Sequence, residues 1–394
     1  MHRANSGKPN LLAMTKWFFT CILTLTLSAA WADTILVGMH CQSNYLRCGI
    51  SPIEGTYQVI GDDKLLFTIT TGQSADITAI SGKVNIFFSG KNHTGFKKIT
   101  WKTEGTAEFK AQPSGQKASN RIYKGELIAF SINGHLQLVN RVDLELYVAG
   151  VIEAESGSGS ELEYYKVQAV ISRTYALNNR TRHLDSGFEI CDGTHCQVYH
   201  GKPRKEPLAE KAAAATEDIV IVDHEINLIT AAFHSNCGGH TVNAEVAWSK
   251  PVPYLVGRRD TFCLSMPHSH WEKRMPKEKW NSYIKQKRSS GDLASLSDGG
   301  ILGECNTMYC HDSTLLIPRR AMRTDLKLRS TQFEIDYTPE EVIFYGKGFG
   351  HGVGLCQEGA MRMSKFGYSY KDIIHYYYTD VHLIQRRMLW FFKE

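Results

Sequence analysis

The chain has 394 residues, 42% hydrophobic and 22% charged, which is long for one typical domain and ordinary for a folded globular protein. These proportions exclude a collagen-like fibre, a largely disordered chain and a polytopic membrane protein. The formal charge is +5, from 45 basic and 40 acidic residues. Three of those five charges (Arg3, Lys8 and Lys16) lie in residues 1–32, so the remaining +2 gives a nucleic-acid partner no support.

The first expected element is a secretory signal peptide over residues 1–32. Lys16 precedes an apolar run from Trp17 to Leu27, and Ser28-Ala29-Ala30-Trp31-Ala32 supplies the small-residue end, so cleavage is expected after Ala32. The run is short for a membrane span, and no transmembrane segment is expected after cleavage. The protein is therefore expected in the periplasm, the cell envelope or the medium, where disulfides can form. Without Cys21, nine cysteines remain, at 41, 48, 191, 196, 237, 263, 305, 310 and 356, so at least one is free, metal-bound or paired between molecules. Cys41–Cys48 and Cys305–Cys310 are close enough in sequence to form local staples.

Residues 33–118 read as a smaller β-rich region of unknown role. Tyr57–Ile60, Leu65–Thr70 and Val84–Phe88 are β-branched and aromatic runs, punctuated by Gly55, Gly61, Gly72 and Gly82. The polar stretch 111–120 is the candidate linker to residues 119–394. From Asp143 the pattern turns helical, with Leu144, Tyr147, Val148, Val151 and Ile152 on one stripe that should end near Gly157–Ser160. Ser160-Glu-Leu-Glu163 predicts a capping box for a second helix reaching about Asn178. A third helix is expected over Glu206–Ala215, then strands at Ile219–Val222 and Leu228–Phe233. Residues 264–338 read as an insertion with helices of its own. A strand at Glu341–Tyr345 leads into a glycine-rich loop, followed by helices at Ala360–Phe366 and Tyr370–Tyr378. The alternation of these elements predicts an α+β fold.

Glu155 extends the apolar stripe of the first helix to its end. A carboxyl there is costly to ionise, and desolvation would raise its pKa into the range of a general acid. Spacing alone equally allows a frayed, solvated last turn. Glu153 falls off the stripe and is expected in solvent. Lys166 and Arg173 share a face of the second helix, facing either an anionic or polyhydroxyl ligand or plain solvent. His183, Cys191 and Cys196 could be three legs of a zinc site, with His195 as a further candidate; a Cys191–Cys196 disulfide is the alternative. His234-Ser-Asn-Cys237-Gly-Gly-His240 has metal-like spacing, but its glycine pair reads better as a tight turn. Five glycines between Gly346 and Gly354 imply close backbone approach, without the spacing of a P-loop or a dinucleotide fingerprint. His351 and Cys356 lack the third group that a Cys–His hydrolase pair needs.

These motifs together resemble the stage II sporulation protein D (SpoIID/LytB) family. The similarity is carried by Leu146-Tyr147-Val-Ala-Gly150 through Glu155, Lys166 to Leu177, Cys191-Asp-Gly-Thr-His195-Cys196-Gln197-Val-Tyr199, Ser235 to Gly239, and Gly346 to Ala360. It covers roughly residues 121–390 and implies a SpoIID-like catalytic domain over 119–394. The resemblance implies a peptidoglycan lytic transglycosylase acting on stem-peptide-free glycan, with Glu155 as the catalytic residue. It implies glycan contacts from Lys166, Arg173, Tyr345, Lys347, His351 and Gln357, and a structural zinc on His183, Cys191 and Cys196. Some relatives are amidase enhancers, so a non-catalytic activator of a cell-wall amidase is the alternative, and a zinc amidase or peptidase is a third. Ser156-Gly157 replaces the family's usual Met-Pro, Cys356 its Ser and Glu358 its Trp; these departures bear on substrate detail more than on reaction class.

Overall fold

The computed structural model describes residues 33–117, 120–289 and 317–391, and these fall in one compact unit. The expected signal segment and the Cys305–Cys310 pair lie outside the described residues.

The amino-terminal strands are β1 (Thr34–Met39), β2 (Arg47–Glu54), β3 (Thr56–Gly61), β4 (Lys64–Thr70), β5 (Ala75–Ile80), β6 (Lys83–Phe88), β7 (Lys91–Phe96), β8 (Lys98–Lys102), β9 (Glu108–Pro113), β10 (Tyr123–Lys124), β11 (Glu126–Ile132) and β12 (His135–Asp143). Three hairpins close through two-residue turns in which both residues have positive φ: Ser81-Gly82, Ser89-Gly90 and Asn133-Gly134. That is the turn whose twist matches the strands it joins. One sheet runs β10-β9-β2-β5-β6-β7. The other contains β1, β12, β11, β8, β3 and β4 in that order, and packs β11, β12 and β8 against β5 and β6. Strands from both sides of residue 118 therefore share these sheets, and the polar stretch 111–120 joins β9 to its own neighbour β10. Cys41 and Cys48 are free thiols and form no staple: Cys48 is buried on β2, in one sheet, whereas Cys41 packs over Gly38 of β1, in the other.

β12 passes directly into α1 (Leu144–Ser156), where the Asp143 side chain accepts the Glu145 and Leu146 N–H groups. The apolar stripe of α1 is buried as expected. After α2 (Leu162–Asn178) come β13 (Ile190–Cys191), α3 (Leu208–Ala215), β14 (Ile219–Val222), β15 (Phe233–His234) and α4 (Ala244–Trp248). β13 adds to the far side of β1 in parallel, pairing Cys191 with Gly38. The predicted strand at Leu228–Phe233 is reduced to the bridge of Leu228 with Val222 and the two residues of β15.

The capping box expected at Ser160 does not form. Glu161 is the cap, and Glu163 turns away to Lys166 and to the Tyr370 N–H. The remaining elements are β16 (His270–Pro276), α5 (Lys277–Ser289), α6 (Arg319–Asp325), β17 (Phe333–Tyr337), β18 (Glu341–Lys347), β19 (Leu355–Cys356), α7 (Gln357–Lys365), α8 (Tyr370–Tyr377), β20 (His382–Gln385) and α9 (Met388–Phe391). Within the expected insertion, α5 and α6 form a second small core with the sheet β16-β18-β17, around Trp271, Trp280, Phe333 and Phe344.

Candidate functional site

Gly150 lets α1 approach the chain at residues 199–201. A Cβ there would lie 2.2 Å from the Gly201 carbonyl oxygen and 2.7 Å from the Tyr199 ring. This close approach brings the 191–199 segment under the end of α1. The Val198 N–H donates to Glu155 Oε1 at 2.6 Å, and beside it the Tyr147 hydroxyl donates to Gln197 Oε1 at 3.1 Å. Glu155 is half-buried. Burial pushes its carboxyl pKa up, against the smaller opposing effect of the Val198 N–H.

Glu153 is not in solvent. Its Oε2 accepts the N–H groups of Arg204, Lys205 and Glu206 at 2.9, 2.6 and 2.8 Å. Glu206 in turn accepts the Tyr165 hydroxyl and the Gly159 N–H, at 2.9 and 3.0 Å. Glu153 thus anchors the 204–206 segment, from which Glu206 holds the turn between α1 and α2, while Glu155 makes no hydrogen bond beyond Val198 among the described residues. A hollow lined by Glu153, His200 and Arg204 opens along α1 and does not include Glu155.

Arg173 is a correction to its expected ligand role. Its side chain is 0% exposed and forks onto Glu145, with further bonds to the Ile219 and Ala213 carbonyls. Every donor faces protein, because α2 packs between α1, α3 and β14 at this level. Lys166 keeps 20% of its side chain exposed and donates to Glu163 Oε1 at 2.6 Å. Tyr345 and Lys347 project from one exposed face of β18. Gln357, at 8% exposure, donates to Gln168 Oε1 at 3.3 Å.

The glycine-rich loop lies on its own chain rather than on open space. Cβ atoms at Gly348 and Gly354 would lie 2.6 and 2.2 Å from the Asn236 and Ala232 carbonyl oxygens, and Phe349 and Val353 bridge to Asn236 and Val242. His351 is spent there too: its Nδ1 accepts the Val353 N–H at 3.0 Å, and its ring packs near His234 and Trp248. Burial pushes the His351 imidazole down to about 4, with Arg323 adding to the shift. His351 and Cys356 therefore form no reactive pair.

His183, Cys191, His195 and Cys196 converge, and their ligand atoms all lie within 4.8 Å of one another. His183 Nε2 is 3.3 Å from Cys196 Sγ, and His195 Nδ1 is 3.9 and 3.8 Å from the Cys191 and Cys196 sulfurs. Two imidazoles and two thiols at this separation match a closed tetrahedral zinc donor set. His195 completes it. Asp192 braces the loop, accepting the His40 and Cys41 N–H groups and pairing with Arg121. A second convergence, of Cys237, Asp260, Cys263 and Cys356, was not anticipated. Its members come from three distant segments, and the local spacing around Cys237 reads as a tight turn, which hides the contact with Asp260, Cys263 and Cys356.

The family model for stage II sporulation protein (SpoIID) matches residues 132–222, which run from the end of β11 through α1, α2 and the first cluster to β14. The chain is 30% identical over 276 residues to an uncharacterised protein of Brachyspira hyodysenteriae, covering 66% of this chain and 72% of that one. It is 30% identical over 272 residues to stage II sporulation protein D of Bacillus subtilis, covering 63% and 76%. It is also 26% identical over 287 residues to an amidase enhancer of Bacillus subtilis, covering 59% and 40%. The matched segment holds Glu155 and the first cluster, and the chain belongs to the stage II sporulation protein D (SpoIID) family.

Proposed function

We propose that this protein is an exported peptidoglycan lytic transglycosylase in which Glu155 is both general acid and general base. The observation that carries this reading is the setting of Glu155: one half-buried carboxyl, pinned on Oε1 by the Val198 N–H and pushed up in pKa by burial. The bond on Oε1 leaves Oε2 to carry the proton. Glu155 delivers it to the glycosidic oxygen, then takes the proton of the muramyl 6-hydroxyl as that oxygen attacks the anomeric carbon. One carboxyl suffices because the nucleophile belongs to the substrate, whereas hydrolytic glycosidases generally use two.

Glycan contacts are assigned to Tyr345 and Lys347, which are exposed on β18, and to Lys166, which keeps a fifth of its side chain exposed beside Glu163. Arg173, His351 and Gln357 are committed to protein contacts. His183, Cys191, His195 and Cys196 suit a structural zinc, which would fix the loop that presents Val198 to Glu155. Among the described residues no helix is long and apolar enough to cross a membrane.

The test is product analysis by mass spectrometry on stem-peptide-free glycan and on intact peptidoglycan. Anhydromuramyl ends from the wild type and none from Glu155→Gln are expected. Released stem peptides would replace this reading with an amidase. The likeness to an amidase enhancer supports a second reading, a non-catalytic activator. Stimulation of a cell-wall amidase with no products from the protein alone would select it.

A further inference from the structure

Cys237 follows β15, Cys263 lies in a short helical turn at Phe262–Ser265, and Cys356 ends β19 as the cap residue of α7. The parallel pairing of β15 with β19 and the turn at Gly238-Gly239 bring the three together. Cys237 Sγ is 3.4 Å from Cys263 Sγ and 3.2 Å from Asp260 Oδ2, and the ligand atoms of all four residues lie within 4.8 Å of one another. All four are at or near 0% exposure.

Three further observations point to a bound cation. Asp260 is a fully buried carboxylate, and no basic side chain pairs with it among the described residues. Its orientation is fixed from outside the cluster: Oδ1 accepts the Phe262 and Cys263 N–H groups, and Oδ2 accepts the Tyr377 hydroxyl at 2.9 Å. The Cys356 sulfur accepts the Cys237 and Gly359 N–H groups at 3.3 and 3.4 Å, the second from the first turn of α7, so the position of this sulfur is fixed by backbone hydrogen bonds. A buried carboxylate beside three sulfurs, with outer hydrogen bonds already in place, offers four donors to a closed structural site.

We propose that Cys237, Cys263, Cys356 and Asp260 form a second metal centre, which holds one zinc ion in a tetrahedral set of three sulfurs and one oxygen. Tetrahedral zinc–sulfur bonds of ~2.3 Å place sulfurs roughly 3.7 Å apart. The observed spacing suits one ion and is too tight for the thiolates around an iron–sulfur cluster. The rival is a Cys237–Cys263 disulfide. It would use two of the three sulfurs and leave Asp260 without a counter-charge. The centre would tie the turn at Gly238-Gly239, the 260–263 segment and the start of α7 into one unit under the glycine-rich loop. It shares no ligand with the first cluster and does not depend on Glu155 acting in catalysis.

The experiment is a metal count by mass spectrometry on the full chain, purified without chelator or reductant, for the wild type and for the double variant Cys191→Ser, Cys196→Ser. That variant removes the first cluster and leaves the second intact. One zinc per chain should remain in it, and cobalt exchanged into the variant should give thiolate-to-cobalt charge-transfer absorption and tetrahedral d–d bands. Adding Cys356→Ser to the variant should abolish both. A folded double variant holding no zinc overturns the proposal. Should the double variant not fold, disulfide mapping of the wild type decides: recovery of Cys237, Cys263 and Cys356 as thiols that alkylate only after chelation supports the centre. A disulfide between any two of them, or rapid alkylation before chelation, overturns it.

Discussion

Glu155 and Arg173 are charged residues on consecutive helices, and both lie in the segment that matches the family, yet the fold uses them in opposite ways. The corner at the end of α1 holds its carboxyl with one backbone N–H and leaves the other oxygen free. The interior between α2, α3 and β14 surrounds Arg173 with Glu145 and two carbonyls, so that each of its three nitrogens has a protein partner. The same contrast divides Glu153 from Glu155 on a single helix. A charged motif residue is open to a ligand only where its hydrogen bonds are incomplete; where they are complete, it is part of the frame.

Glu155→Gln probes that contrast most strongly. The amide keeps an acceptor for the Val198 N–H but cannot deliver a proton, so glycan cleavage should fall by about 10²–10⁴-fold or more, as measured by release of anhydromuramyl ends. Folding raises this pKa, so the stability it lends is present at low pH and lost as pH rises through the folded value. The variant should therefore melt at or slightly above the wild type at neutral pH. Near-normal turnover would sink the corner as a reactive site. Arg173→Met should do the reverse, costing ~3–5 kcal/mol in urea unfolding because Glu145 is left without its partner. Any protein that still folds should retain its turnover, and a loss of turnover without a loss of stability would return Arg173 to the cleft.

Acid should find a weak point away from both. Burial pushes the His234 and His351 imidazoles down to about 3 and about 4, with Arg323 opposing the protonation of both and the His351 ring also opposing that of His234. Their folded pKa values lie below the unfolded value of ~6.5, so stability is full above that pH and falls as pH drops towards 4. The loss at pH 5 should be ~2 kcal/mol for each ring, and chemical denaturation at pH 5 and 7.5 checks it. The smallest effect expected is that of Glu153→Gln. Weakening three charge-assisted bonds to the 204–206 backbone should cost ~1–2 kcal/mol, with little change in turnover once folded. A loss of turnover comparable to that of Glu155→Gln would erase the distinction between the two carboxylates.

What could be read from sequence was whatever sat within one or two turns of chain. The stripe from Leu144 to Ile152 placed Glu155, and the short spacing from His183 to Cys196 marked the first cluster. Arg173 looked like a ligand residue because its partner Glu145 sits on a different helix, and nothing in the spacing announces that pairing. Glu153 looked solvated because helical periodicity describes one stripe and is silent on loops that return to the other side. The glycines of 346–354 signalled close approach correctly, but their neighbour is the 232–242 chain, which only tertiary structure reveals. The second cluster was invisible for the same reason: three cysteines from three segments carry no common spacing.

The position of β1 bears on the order in which the protein can assemble. It is the first strand of the described chain, and it lies between β12, which ends at Asp143, and β13, which ends at Cys191. As the chain is made, β1 has no partner until more than a hundred residues have followed it, and its second edge stays open longer still. Closing such a loop costs entropy before any pairing repays it, so this sheet should be completed late and slowly, after the hairpins from β3 to β7 have formed. The loop that presents Val198 to Glu155 hangs from β13, so the corner around Glu155 cannot be set until β1 has found its place.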